Sequence, residues 1–320
     1  MFPSLRIQWI EPCRARCVRC ATWPKNPVFR EMIERGADRT VHDFYLDAVR
    51  EFRPQSLYVS GGEPLLAPGL GPYLRDFGPL VHGSIFLFCS FQFDDASRES
   101  VLAQDWPTGN VVLTHTISGF DPDTWARETR GFPFDLYVRN LRELAARFPK
   151  KRIKLILNHD DVAAQIERFV EAVRPDASFV FSLKLINLQG ANLQADVIEA
   201  TRLRAMEHLA ARAGLYAPEL SWQTGVTGEE TLAALAASGD ASACPYRRAP
   251  AELRFAFRSF SEDRIRLYYR FCPFFPSDRH FGFHVGHNTF DQIRLAYERN
   301  KWHSWCPDCR LNRYCEPPTP

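Results

Sequence analysis

The sequence predicts an α/β fold built on a parallel sheet, and three observations predict it. Short apolar runs alternate with helix-like segments over the first two hundred of the 320 residues. The apolar runs are nearly continuous, as expected of strands in a sheet that helices cover. Their spacing is that of consecutive strand–helix–strand units, whose parallel strands need a crossover helix between them.

Residues 5–10, LRIQWI, read as a first strand that leads into three cysteines. Val41, Phe44, Tyr45, Ala48, Val49 and Phe52 recur at helical spacing within 39–52. SLYVS at 56–60 is a strand that runs into a Gly-Gly turn. A helix is expected over 69–80, although Pro72 interrupts its pattern. Residues 84–91, 110–118 and 152–158 are further strands, the last two rich in β-branched residues. Residues 133–148 and 162–173 are amphipathic helices. Residues 178–188 are a sixth strand, and 198–214 a further helix. The Gly-, Thr-, Ser- and Ala-rich stretch at 221–243 reads as a boundary. Beyond it, ELRFAFRSF and RIRLYYRFC flank a short turn and predict a β-hairpin. A helix near 289–301 follows, and then CPDCRLNRYC.

Composition narrows the function classes. Hydrophobic residues make up 45% of the chain, enough for a packed core and too many for a disordered protein. Lys and Arg number 40 against 38 Asp and Glu, a net charge of +2, which argues against a dedicated nucleic-acid binder. No apolar run approaches the roughly 18 residues of a membrane span. The N-terminus lacks the pattern of a secretory signal, so a cytoplasmic protein is expected. Of the nine cysteines, three lie within residues 13–20 and five in the last quarter of the chain. Clustered thiols without an export signal point to metal or iron–sulfur ligation before disulfides. Cys89, within a strand pattern, reads as a small core residue.

Cys13, Cys17 and Cys20 follow the first strand with the spacing C-x3-C-x2-C. Three thiolates on one loop can share one metal centre. A four-iron cubane would keep one iron open, whereas a closed zinc site would want a fourth ligand. Gly61, Gly62, Glu63 and Pro64 follow roughly forty residues later, at the end of the second predicted strand. Glycines allow close backbone approach, and a carboxylate can receive an ammonium group.

The cysteine triplet and the Gly-Gly-Glu-Pro segment together resemble the radical S-adenosylmethionine superfamily. The resemblance implies a partial (β/α)6 barrel over residues 1–220. It implies a [4Fe–4S] cluster on Cys13, Cys17 and Cys20, whose open iron binds the methionyl group of S-adenosylmethionine, with Gly61–Pro64 contacting the methionyl amine. By position, Ser90, Thr116, Ser118 and Arg130 are further candidate cofactor contacts; each reads equally as a helix cap or a solvated polar group. Arg19 stands where the family often has an aromatic residue. Trp23 is a candidate substitute, or an ordinary packing residue.

Cys244, Cys272, Cys306, Cys309 and Cys315 resemble the ligands of SPASM and twitch auxiliary-cluster domains. That resemblance implies a small β-hairpin/helix domain over 240–320. It would carry a second [4Fe–4S] cluster on Cys244, Cys272, Cys306 and Cys309, with Cys315 as the alternate ligand. A zinc ribbon made from the same residues is the other reading. His280, His284, His287 and His303 are expected to be surface or hydrogen-bonding residues.

The family chemistry is reductive cleavage of S-adenosylmethionine to a 5′-deoxyadenosyl radical and abstraction of a substrate hydrogen. An oxidation is the implied outcome. The expected substrate is a small molecule such as a sugar, aminocyclitol or nucleoside, because no leader-binding domain precedes the barrel. A peptide substrate is the alternative, and a non-catalytic zinc scaffold the further one. A flavodoxin or ferredoxin would be the reductant; neither membrane nor nucleic acid is an expected partner. The Arg-rich stretch from Arg254 to Arg270 reads either as facing an anionic substrate or as strand residues alternating between core and water.

Overall fold

The computed structural model describes residues 2–11, 13, 17, 26–107, 109–117, 119–158, 162–175, 179–186, 221–222, 253–261, 264–271 and 281–300. Their elements run β1 (Ser4–Gln8), α1 (Asn26–Glu34), α2 (Ala37–Phe52), β2 (Ser56–Ser60), α3 (Leu70–Phe77), β3 (Ile85–Cys89), α4 (Asp95–Ala103) and β4 (Val111–Ile117). There follow α5 (Pro122–Thr129), α6 (Phe134–Ala145), β5 (Lys150–Asn158), α7 (Val162–Val173), β6 (Phe179–Ile186) and β7 (Ser221–Trp222). The last are β8 (Leu253–Ser261), β9 (Arg264–Arg270), β10 (Phe281–His284) and α8 (Phe290–Asn300).

These strands make one ten-stranded sheet in the order β10-β9-β8-β1-β2-β3-β4-β5-β6-β7. All pairs from β8 to β7 are parallel, and β8, β9 and β10 are antiparallel neighbours. From β1 to β7 the spatial order is the chain order. Crossovers of one hand therefore put successive helices on one face. Leu5, Ile7, Leu57, Val59, Ile85, Leu87, Leu113 and Ile153 point to that face and are fully or almost fully buried. Their neighbours Arg6, Tyr58, Phe86, Phe88 and Arg152 point to the opposite face and are only half-buried.

The α/β fold that the sequence predicts is present, and its departures have local causes. β1 stops at Gln8, and two residues on, the backbone of Ile10 bonds a side chain of α2 instead of β2. The Trp9 ring stacks on His42 at 3.6 Å, and Ile10 N donates to His42 Nε2 at 3.4 Å. Pro72 does not break α3. It sits in the first turn, where a missing N–H costs no helical bond. The expected helix ends early at Phe77 and continues as a single 3-10 turn over Gly78–Leu80.

Helices α1, α4 and α5 were not expected. The last two are short, and their caps define them more than apolar spacing does. Asp94 Oδ1 accepts from Ser97 N, and Asp121 forms a reciprocal capping box with Thr124.

The expected β8–β9 hairpin is present and joins the main sheet. Leu253 and Arg254 pair with Leu5 and Arg6, and the Gln8 side chain accepts from Phe257 N at 3.1 Å. Phe255, Phe283 and Phe290 pack on Phe44 of α2 with ring centres 5.0–5.4 Å away. α8 matches the helix expected near 289–301. The 198–214 helix, almost all of the 221–243 boundary and CPDCRLNRYC lie outside the described residues.

Two buried histidines give the fold an acid limit. Burial holds His42 at about 3, and His115 at about 4 against the opposing bond from the Cys89 carbonyl. An unfolded histidine takes its proton near 6.5, so the unfolded state binds more protons below that pH. The stability these groups contribute is complete above pH 6.5 and is lost as pH falls toward 4. Urea unfolding should show a loss of roughly 2–4 kcal/mol between pH 7 and pH 5, at about 1.4 kcal/mol per pK unit for each histidine. His42→Gln should flatten the curve by about half. A curve equally steep in that variant would contradict the assignment.

Candidate functional site

The ends of β1 and β2 are pressed together. Trp9 N donates to the Ser60 carbonyl at 2.5 Å. A side chain on Gly61 would overlap the Trp9 carbonyl oxygen. One on Gly62 would overlap the Glu11 carbonyl oxygen and lie 2.8 Å from Cys13 Cβ and 2.9 Å from Cys13 N. The sequence suggested that these glycines admit a ligand. In the fold they admit the chain leading into the cysteine loop, and they fix where Cys13 starts.

Glu63 comes next and is completely buried. Its Oε2 accepts from Ser90 N at 2.6 Å, Ser90 Oγ at 2.5 Å and Phe91 N at 3.0 Å. Its Oε1 accepts from Leu65 N at 3.4 Å and caps the 3-10 turn Pro64–Leu66. Burial pushes its pKa above the ordinary glutamate value, while the bonds from Ser90, Leu65 and Phe91 pull it back. The carboxylate thus ties the end of β2 to the segment that leaves β3. Pro64 is buried beneath it.

That segment, residues 90–93, carries the next contacts. Phe91 is fully buried with φ of 58°, a left-handed conformation costly for a bulky residue. Three partners impose it. Glu63 takes its N–H, Asn140 Nδ2 donates to its carbonyl at 3.0 Å, and His115 meets its ring edge-on at 5.1 Å. Asn140, itself fully buried, also donates to the Phe93 carbonyl at 2.8 Å. His115 is held between the Cys89 carbonyl at 2.7 Å and Tyr137 Oη at 2.9 Å. The turn so fixed aims Gln92, whose Nε2 donates to Cys17 Sγ at 3.1 Å.

The structure therefore brings together Cys13, Cys17, Gly61, Gly62, Glu63, Pro64 and Ser90. Cys13 is buried, Cys17 partly so, and both are thiols. Burial raises the pKa of Cys89 well above its usual value, and the charge of Glu63 adds to this; it is a core residue, as its strand position suggested. Thr116 is exposed near the end of β4, where its backbone pairs with Lys154. Arg130 is the left-handed C-cap of α5, with φ of 56°, and Gly131 follows at 95°. That geometry explains the Arg-Gly pair as a helix stop. Cys20, Ser118, Cys244, Cys272, Cys306, Cys309 and Cys315 lie outside the described residues, as do Arg19 and Trp23. Among the described residues no three His, Cys, Asp or Glu side chains form a metal-binding group. Sequence reasoning missed Gln92, Asn140 and Phe91. An Asn at a core-facing helical position was the one available signal.

Fold and site together define a class: an α/β chain with a parallel sheet wound in sequence order, whose strand ends gather around a thiol loop. No family model matches the sequence, and no curated protein matches it. Solved structures do share the fold. Streptococcus suis SuiB bound to S-adenosylmethionine matches with a TM-score of 0.57 and 12% identity, over 99% of this chain and 72% of that one. A second structure of Streptococcus suis SuiB matches with the same figures.

Glu63→Gln puts an amide donor among N–H and O–H donors. It should cost roughly 1–3 kcal/mol in chemical denaturation, whereas Ser90→Ala, which removes one bond, should cost about 1. Wild-type stability in Glu63→Gln would refute the clamp.

Proposed function

We propose that this protein is a radical S-adenosylmethionine enzyme that oxidises or otherwise modifies a small-molecule substrate. One observation carries the reading. The Gly61–Gly62 turn is locked against Cys13, while the Glu63 carboxylate fixes the turn from which Gln92 reaches Cys17. Two of the three thiols of the C-x3-C-x2-C loop are thus gripped from the ends of β2 and β3. The fold shared with an S-adenosylmethionine-bound structure supports the same ligand here.

The donor set fits a four-iron cluster. Thiolates are its natural ligands, and an amide N–H directed at a ligand sulfur is one of the features that tune such centres. Cys13, Cys17 and Cys20 would hold it. When bound, it supplies the electron that cleaves S-adenosylmethionine, so that a 5′-deoxyadenosyl radical takes a hydrogen atom from the substrate. The protein's part is to hold the loop, shape the carboxyl ends of the strands and keep the reacting groups apart from water. Gly61–Pro64 and Ser90 are proposed contacts for the methionyl group. Thr116, Ser118 and Arg130 remain proposed contacts for the rest of the cofactor.

Cys244, Cys272, Cys306 and Cys309, with Cys315 as the alternate, are proposed to hold a second [4Fe–4S] cluster in a SPASM- or twitch-like region. Bound there, such a cluster would supply a second redox centre. A flavodoxin or ferredoxin is the proposed reductant, in a cytoplasmic setting. Among the described residues no helix is long and apolar enough to cross a membrane.

Iron and sulfide should be measured after anaerobic reconstitution, followed by 5′-deoxyadenosine release with S-adenosylmethionine and a strong reductant. About eight irons per chain and release of deoxyadenosine are expected; about four with release would leave the C-terminal thiols to zinc or to no metal. Cys17→Ala should abolish release and remove about half of the iron. No iron and no release from the wild-type chain would overturn the proposal.

A further inference from the structure

Gln92 lies between two buried phenylalanines and is itself only 3% exposed. Its Nε2 donates to Cys17 Sγ at 3.1 Å. Its Oε1 is buried and has no hydrogen-bond partner. A neutral thiol sulfur is a weak acceptor. Leaving a buried amide oxygen unpaired costs more than an ordinary neutral hydrogen bond returns. A bond to a neutral thiol therefore does not account for an amide held inside in this orientation. A sulfur that carries charge changes the balance, because a charge-assisted bond is roughly twice as strong. The arrangement suits Cys17 as a metal-bound thiolate.

The donor is also fixed by its surroundings. Gln92 N donates to Ser90 Oγ at 3.4 Å, and Ser90 Oγ in turn donates to Glu63. The carbonyls of the two flanking residues, Phe91 and Phe93, are both taken by Asn140 Nδ2. The left-handed Phe91 sets the direction of the chain between them. A dipole braced in this way does not have to reorganise when the charge on its acceptor changes, which is what makes a fixed donor effective in a buried site.

An iron–sulfur cluster becomes more negative when it takes up an electron. An N–H aimed at a ligand sulfur favours that reduced state and so raises the reduction potential. Resting on the enzymatic reading above, we propose that Gln92 is a positioning residue that holds up the reduction potential of the cluster on Cys13, Cys17 and Cys20, acting through the Cys17 sulfur. It thereby governs how readily a low-potential one-electron donor loads the site. The electron comes from that donor, and no bond to Gln92 forms or breaks beyond the hydrogen bond it already makes. Removing the N–H should shift the ratio of reduced to oxidised cluster about tenfold, or ~59 mV for one electron.

The test is a reductive titration of the reconstituted full-length protein, followed by electron paramagnetic resonance, in the wild type, Gln92→Leu and Gln92→Met. The signal missing from Cys17→Ala identifies the cluster concerned. Both variants fill the space with an apolar side chain and lack the N–H. Each should keep its iron and show the potential lowered by the tenfold equivalent. A second measurement needs no variant. In wild-type chain carrying 15N in its glutamine side-chain amides, electron–nuclear double resonance of the same signal should show a 15N coupling. The proposal is overturned if a folded variant keeps the wild-type potential, or if the labelled wild type shows no such coupling. It is also overturned if both variants lose the cluster, which would make Gln92 only a holder of the loop. A chain that shows the shift but releases no deoxyadenosine would sink the radical chemistry and keep this assignment. Release with an unmoved potential would do the opposite, and a chain that takes up no iron would lose both.

Discussion

Burying a carboxylate in a protein interior costs several kcal/mol unless its oxygens are satisfied, and Glu63 meets that condition with four donors from two segments. Those donors are the N–H groups of Leu65, Ser90 and Phe91 and the hydroxyl of Ser90. Once they converge, the chain leaving β3 has little freedom. The left-handed Phe91, the two carbonyls taken by Asn140, and the direction of Gln92 all follow from this fixed point. The same residue belongs to the turn whose glycines pack on the path to Cys13. One buried charge therefore sets the relation between β1, β2 and β3 at the end where the thiols lie.

The sheet's winding supplies the second constraint. With strands in chain order, the helices cover one face, and hydrophobic burial is concentrated there. The other face is left half-exposed, free of the requirement to be apolar. Stability comes from the first face, where each fully buried Leu, Ile, Val or Phe contributes on the order of 1.5–3 kcal/mol. Division of labour between faces is how one sheet can be both a core and a half-exposed wall.

Much of this was legible in the sequence, and the boundary of legibility is physical. Long amphipathic helices such as α2 and α6 declare themselves by spacing, as do the apolar strands. Helices α4 and α5 are short and depend on Asp94 and Asp121 caps, so their periodicity is weak. Cys13, Cys17 and Gly61–Pro64 were visible because their spacing is local. Asn140 and Gln92 were not. Asn140 bonds to residues 47 and 49 positions away, and the Gln92–Cys17 bond spans 75. No local pattern encodes such partners. The packing of the glycines was not legible for the same reason, because the backbone they admit comes from another strand.

Phe91 shows how the site is held against its own strain. A left-handed bulky residue costs roughly 1–2 kcal/mol, so a glycine would be the unstrained choice for the backbone alone. The ring, however, is fully buried against His115, and truncating a buried phenylalanine costs about 3–5 kcal/mol. The side chain thus outweighs the backbone penalty. A glycine there would also widen the conformations open to the loop in the unfolded chain, which weakens the fold further. The strain is retained because the anchor that imposes it is worth more than the strain itself. The same anchor keeps Gln92 beside Cys17, and that pairing connects the packing of the core to the thiols it presents.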